Sequence, residues 1–328
     1  MTELLVLTDA QVGELVDYGE AIEVVESAFR DFGQGRATMP PKVYLSFPRY
    51  KGDIRVMPAA TGDRYAGVKL VNSHGENPSK GLPAVVGTYL LFSQETGMPL
   101  CLMAATLLTA IRTGAASAVA TRHMARSDAN SVGLIGAGAQ AAHQLRAISL
   151  VRDIEEVFVW AREVDRERTA ALVTDMQVEF PDLRIRAADS VVEAAASDIL
   201  CTTTPSRAPL FPAGALGEGA HINAVGADGP GKQELDPEIL KAGYLVVDEM
   251  DQAIHGGEVN VALHTGVISI AQIAGTLAEV LTAAIPGRTS PEQITVFDST
   301  GLAIQDIAVA ILVYERALER GLGSTVSL

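Results

Sequence analysis

Ser131 to Gln140 reads Ser-Val-Gly-Leu-Ile-Gly-Ala-Gly-Ala-Gln. An apolar run, Val132 to Ile135, leads straight into Gly136-Ala137-Gly138, and a helical pattern follows from about Ala139 to Val151. Few architectures accommodate a strand that ends on paired glycines and restarts at once as a helix. Gly136 permits a tight turn, and Gly138 lets an anion approach the backbone. The turn brings N–H groups and the positive end of a helix to a pyrophosphate. The third glycine position holds Ala141, which the pattern tolerates. A glycine pattern alone is weakly specific; the strand before it and the helix after it supply the context for a dinucleotide.

From Val132 onward strand and helix patterns alternate. Strands read at 132–135, 157–160, 184–186, 198–202, 221–225, 245–248 and 294–297. This is the pattern of a doubly wound parallel sheet, spanning about 115–300. The chain before it is different. Leu4 to Leu7 reads as a strand, and Thr8 with Gln11 forms a capping-box pattern. Tyr18, Ile22, Val25, Phe29 and Phe32 mark an amphipathic helix that Gly33 and Gly35 end. Strands follow at Val43 to Phe47, Ile54 to Pro58, Ala66 to Asn72, Val85 to Phe92 and Pro99 to Met103, with a flexible polar loop from Gly75 to Pro83. Ala104 to Arg126 is helical, and so is Gly301 to Arg320, with apolar positions at Ile304, Ile307, Ala308, Ile311, Leu312 and Tyr314. That last helix is expected to pack back onto the first unit.

Composition narrows the function classes. The chain is 48% hydrophobic and 20% charged, which suits a sizeable core and not disorder. A net charge of -15 repels phosphate backbones, so no nucleic-acid partner is expected. No basic region precedes an apolar one at the N-terminus, so no signal peptide is expected. Arg112 and several threonines interrupt the longest apolar stretch, so no membrane span is expected. Cys101 and Cys201 lie far apart with no CxxC, which speaks against a disulfide or a metal site and fits a reducing cytoplasm.

Several loops carry candidate chemistry. The residue that ends the second strand of a dinucleotide fold is usually an acid that bonds the ribose. Here Trp160-Ala161-Arg162-Glu163 offers alanine and then arginine, which favours the 2′-phosphate of NADP over NAD; otherwise Glu163 takes the ribose or Arg162 caps. Thr202 and Thr203 follow the fourth strand, either near the cofactor crevice or as β-forming residues before a turn. His221 to Lys232 emerges from a buried strand into a Gly/Pro loop with Asp228, a general acid/base or a turn-forming residue. An acid/base role near neutral pH requires surroundings that raise its pKa. His255-Gly-Gly-Glu258 and Asp298-Ser299-Thr300-Gly301 read as similar loops, the latter opening the final helix with hydroxyls that suit an anion, a nicotinamide amide or capping. Lysine is scarce, six against nineteen arginines, yet Lys42, Lys69, Lys80 and Lys232 sit in or beside Gly/Pro-rich segments. Lys42, Arg55, Lys69 and Arg112 suggest a cationic site for a carboxylate substrate.

Pro41-Lys42-Val-Tyr, Arg55-Val-Met-Pro58, Lys69 with Asn72-Ser-His74, Lys80-Gly-Leu-Pro83 and Arg112-Thr-Gly-Ala115 form one set of motifs. Gly136-Ala-Gly-Ala-Gln140, Ala227-Asp228-Gly-Pro-Gly-Lys232 and Asp298-Ser-Thr-Gly301 form another. Together they resemble the ornithine cyclodeaminase/mu-crystallin family over essentially the whole chain, most nearly its archaeal-type alanine dehydrogenase branch. The resemblance implies an α/β homodimer. It implies a central Rossmann NAD(P)-binding domain at 115–300 and a β-rich α+β substrate-binding and dimerisation domain formed by 1–114 and 301–328. It implies Asp228 as acid/base with Lys69 and Lys42, and substrate contacts from Lys42, Arg55, Lys69, Arg112 and Thr300. Cofactor contacts are expected at Arg112, Thr113, Gly136, Gly138, Ala139, Gln140, Arg162, Thr202, Thr203, Val225, Gly226 and Ser299.

Two departures from the cyclodeaminases point to a small monoamino acid. They carry a Glu where Val56 precedes Met57-Pro58, and an apolar residue where Thr300 follows Ser299. The implied activity is reversible NAD(P)-dependent oxidative deamination of L-alanine to pyruvate and ammonia. Ornithine or lysine cyclodeamination, cyclic ketimine reduction, and a non-catalytic NADP-binding role are the alternatives.

Overall fold

The protein is described here from a computed structural model, in residues 3–328. Met1 and Thr2, which open the stretch read above for a signal peptide, lie outside the described residues. In chain order the elements are β1 (Glu3–Leu7), α1 (Asp9–Leu15), α2 (Tyr18–Gly33), β2 (Ala37–Thr38), β3 (Val43–Phe47), β4 (Gly52–Thr61), β5 (Tyr65–His74), β6 (Gly87–Ser93), β7 (Pro99–Ala104) and α3 (Thr106–Met124). Then come β8 (Ser131–Ile135), α4 (Ala139–Ile148), β9 (Glu156–Trp160), α5 (Arg166–Glu179), β10 (Arg184–Ala187), α6 (Val191–Ala195), β11 (Ile199–Thr202), β12 (His221–Ala224), α7 (Pro237–Ala242) and β13 (Tyr244–Val247). The chain ends with α8 (Met250–Gly256), α9 (Val259–His264), β14 (Ile273–Thr276), α10 (Leu277–Leu281), β15 (Thr295–Asp298), α11 (Ala303–Arg320) and β16 (Ser324–Ser327). It packs into two compact units, Met1–Arg112 with Leu302–Leu328, and Thr113–Gly301.

The first unit is one mixed sheet in the order β16-β1-β7-β6-β5-β4-β2, with β3 also paired to β4. The pair β1–β7 is parallel, and the other pairs are antiparallel. Register decides which side chains share a face, because a strand alternates faces at every residue. Met57, Lys69 and Tyr89 lie in one row, and Tyr44, Arg55 and Val71 in another on the same face. Val43, Val56 and Leu70 form a row on the opposite face, where Val43 and Leu70 are exposed. Helix α11 lies on β4, β5 and β6 and against α2. Helix α2 begins at an Asp17 cap, whose side chain accepts the Glu20 N–H at 2.9 Å, and buries Ile22, Val25 and Phe29. The Thr8–Gln11 capping box is formed.

The second unit is an all-parallel sheet in the order β10-β9-β8-β11-β12-β15-β13-β14. Val132, Leu134, Val157, Val159, Ile199 and Cys201 join one apolar cluster; Ile135, Leu200, Ile222, Leu245, Val247 and Val296 join another. Burial on both faces is what a helix-covered parallel sheet requires. The strand sequence runs outward from β8 to β10, then returns to β11 on the other side of β8. Ligands of such sheets bind outside the strand ends at that reversal.

Several expectations are corrected. β14 and β16 were not read as strands: β14 is four residues with Gly275 at φ +155°, and β16 is short and exposed. The Gly75–Pro83 loop contains a 3-10 turn at Asn77–Lys80. His255 to Glu258 is a junction between α8 and α9, not an open loop, and Glu258 is buried. The final helix starts at Ala303 after Leu302, with no side-chain cap, so the 299–300 hydroxyls do not cap it. Its buried stripe is Ile304, Ile307, Ala310, Val313 and Ala317, with Ile311 and Leu312 at the margin. Among the described residues, no helix is long and apolar enough to cross a membrane. Cys101 and Cys201 are free and buried.

Candidate active site

In the first unit the sheet face beneath α11 carries Lys69, which is wholly buried. A buried ammonium needs a counter-charge, and α11 supplies it. Lys69 Nζ donates to Asp306 Oδ1 at 2.6 Å, and Arg112 Nε donates to the same oxygen at 2.9 Å. Arg112 also donates through Nη1 to Gln305 Oε1 at 2.7 Å, which fixes the plane of the guanidinium. Burial, with the Arg112 charge beside it, pulls Lys69 down to about 7, although Asp306 pulls the other way and Lys42 adds to the lowering. Tyr89, next to Lys69 in the register, is buried and its hydroxyl is held well above its ordinary range by desolvation and by Asp306. Arg55 shares this face; its Nε donates to Asp53 Oδ1 at 3.1 Å, and it lies over the Tyr44 ring.

Val56 lies in the row with Val43 and Leu70, on the face opposite Lys69, so its apolar character says little about what Lys69 faces.

In the second unit the glycine turn fits a pyrophosphate. Gly136 has φ +112°, and a Cβ there would come 2.8 Å from Thr203 Oγ1, so glycine is required. Gly138 is the N-cap of α4 and offers its first turn no side-chain acceptor; the space at its Cβ position is bounded only by Arg168, 3.7 Å away. First-turn N–H groups that lack a cap are ready donors to an anion. Ala139 and Gln140 begin that turn, and Ala141 is buried against the sheet. The Gly136 N–H donates to Trp160 O at 2.8 Å, and the Thr203 N–H to Ile135 O at 2.9 Å. The turn is thus tied to the ends of β9 and of β11, where Thr202 is buried. Arg162 follows β9 with an exposed side chain that meets Asp165 at 3.4 Å.

Beyond β12, Val225 and Gly226 both donate their N–H to Thr202 O at 3.0 Å. Asp228 forms an ion pair with Lys232 four residues on. Ser299 is buried at the end of β15, and its hydroxyl meets no partner among the described residues. Thr300 is turned away from a helix-capping role and donates to both oxygens of Asp248 at 3.1 Å. Thr113, in α3, is buried.

Sequence reasoning gave no role to four of the residues here, Asp306, Gln305, Arg168 and Glu234. Asp306 and Gln305 sit inside the apolar stripe of α11, and a carboxylate in such a stripe is itself a signal. Arg168, on α5, donates Nε to Ala137 O at 2.8 Å and so hangs over the glycine turn. Glu234 is a buried carboxylate with no sequence signal, and Glu258, read above in a Gly-rich loop, is buried as well. Glu258 accepts the N–H groups of Glu234 and Leu235, at 2.9 and 2.7 Å. Burial holds Glu234 up at about 7 and Glu258 well above its ordinary range.

The ornithine cyclodeaminase/mu-crystallin family model matches residues 2–321. An alanine dehydrogenase from Archaeoglobus fulgidus is 49% identical over 325 residues, covering 99% of this chain and 98% of that one. The solved structure of an archaeal alanine dehydrogenase dimer with bound NAD superposes with a TM-score of 0.95 at 48% identity, covering 100% of both chains. A Thermococcus litoralis Delta(1)-pyrroline-2-carboxylate reductase, solved with NADH and L-proline, also gives a TM-score of 0.95, at 38% identity over 98% of this chain and 100% of that one.

Proposed function

Because the chain belongs to the ornithine cyclodeaminase/mu-crystallin family, we propose that it is an NAD(P)-dependent oxidoreductase that deaminates L-alanine reversibly to pyruvate and ammonia. The observation that carries this reading is the buried Lys69–Asp306–Arg112 cluster in a chain 49% identical, end to end, to an alanine dehydrogenase.

L-alanine, NAD(P)+ and water give pyruvate, ammonium, NAD(P)H and a proton. When bound, the dinucleotide supplies the acceptor for the hydride that leaves Cα. The turn at Gly136 and Gly138 with Ala139 and Gln140 would hold its pyrophosphate, and Arg112, Thr113, Thr202, Thr203, Val225, Gly226 and Ser299 would supply its remaining contacts. Lys42, Arg55 and Arg112 hold the substrate carboxylate, a planar anion that a guanidinium grips at two points. Lys69, drawn down to about 7, exchanges a proton with the substrate nitrogen near neutral pH. Asp228 takes a proton from the water that adds to the imine carbon and returns it to the departing amine. Thr300 bonds Asp248, and its part is to fix the backbone beside Ser299.

Arg162, exposed after Ala161, supports use of NADP alongside NAD. The exposed row of Val43 and Leu70, continued by Leu45, supports a homodimer that covers it. The 38% identity to a pyrroline-carboxylate reductase supports a second reading, reduction of a cyclic ketimine. A cofactor-linked screen separates them: oxidation of alanine and reductive amination of pyruvate should exceed reduction of a cyclic imine and ammonia release from ornithine. The reverse order overturns the alanine reading.

A further inference from the structure

We propose that Asp306 is the positioning residue of the first unit, whose single oxygen Oδ1 holds Lys69 and Arg112 together and decides whether Lys69 keeps its proton.

The geometry is specific. Lys69 comes from β5, Arg112 from α3 and Asp306 from α11, 237 and 194 positions from its two partners. Neither the Lys69 nor the Asp306 side chain is exposed at all. Two cations brought together out of water repel one another and favour loss of the lysine proton; one carboxylate between them opposes that loss. With Lys69 protonated the trio carries one net positive charge, and with Lys69 neutral it carries none. The lysine is therefore poised, and any anion arriving at the cluster tips it toward the protonated form. The charged or titratable groups that face Lys69 are Asp306, Arg112, Lys42 and Tyr89. Asp306 is the one anion among them. Gln305 orients Arg112 from the neighbouring position on α11, so the same helix turn fixes both cations.

Only the catalytic consequence rests on the function proposed above; the charge balance does not. The test therefore reads Lys69 directly. The full chain, labelled at lysine side-chain carbons, has six lysines to resolve, and Lys69→Arg assigns the signal by its loss. In Asp306→Asn the titration midpoint of Lys69 should fall by about one pH unit or more, with the other five signals in place as a check on folding. Asp306→Glu should restore it. A midpoint that does not move in Asp306→Asn overturns the proposal. If Asp306→Asn does not fold, Arg112→Gln decides: removing the cation that shares Oδ1 should raise the midpoint, and an unchanged midpoint overturns the proposal. On whichever substrate turns over, the matching limb of the pH–rate profile should move to lower pH in Asp306→Asn. If alanine fails in the screen while the lysine midpoint falls, the function reading fails and this one stands.

Discussion

Glu234 Oε2 accepts the backbone N–H of Gly226 at 2.9 Å, while its Oε1 accepts that of Thr204 at 2.7 Å. One buried carboxylate thus joins the chain leaving β11 to the chain leaving β12. The two turns it joins carry Thr203 on one side and Asp228 on the other.

This arrangement gives stability a defined pH dependence. The folded chain holds the Glu234 carboxyl up at about 7 against an ordinary 4.5. Between those values the folded state keeps a proton that the unfolded state has lost, so stability falls as pH rises through that window. The loss is on the order of 3 kcal/mol if the shift is fully expressed. Glu258 contributes with the same sign, so the difference between variants is the readout. Denaturant titrations across the window should show a shallower decline in Glu234→Gln than in wild type; equal slopes would exclude Glu234 as the source.

Gly226→Ala should be damaging for a steric reason. A Cβ there would run into Thr204 O and the Glu234 carboxylate, and the carboxylate cannot move without breaking its bonds to the Thr204 and Gly226 N–H groups. The expected cost is about 1–3 kcal/mol, with weaker dinucleotide binding. A thermal midpoint and an NADH affinity both equal to wild type would show that the turn has slack.

Asp228→Asn leaves the shape of the loop and removes the proposed base. The turnover number should fall by about 10²–10⁴-fold, with KM changed much less. Turnover within about threefold of wild type would dismiss Asp228 as the acid/base.

The proposed preference for NADP rests on the end of β9. Ala161 has no carboxylate to bond a ribose, and Arg162 is exposed beside it. The ratio of kcat/KM for NADP over NAD should exceed one and should drop in Arg162→Glu. A preference of about tenfold or more for NAD in wild type would sink the assignment, since a hydrogen-bonded carboxylate or its loss is worth that much.

Val43→Lys with Leu45→Lys should turn a dimer into a monomer in light scattering. These side chains are 55% and 53% exposed in the single chain, on a sheet face that water would otherwise wet. An unchanged mass would place the interface elsewhere.

Much of the fold was legible because it rests on local pattern. The run from Val132 to Gly138 predicted β8, its turn and α4, because strand, glycine geometry and helix are set by neighbours in sequence. The stripe from Ile22 to Phe29 predicted α2 for the same reason. β14 escaped because a four-residue strand with a left-handed glycine has no pattern of its own; only its place beside β13 makes it a strand. The Thr300 hydroxyl stayed unassigned in sequence because capping and bonding to Asp248 are equally open to a threonine until the chain is folded.

The residue types that make a dinucleotide turn and a set of buried cations were determined by the sequence alone, since backbone freedom at Gly136 and the charge of Lys69 belong to the residues themselves. Which charges meet was decided only by tertiary structure. Asp306 reaches Lys69 because sheet register turns Lys69 toward α11, and α11 packs on that face although the whole second unit lies between them in sequence. A charge pair across 237 positions is a product of packing, and no local pattern encodes it.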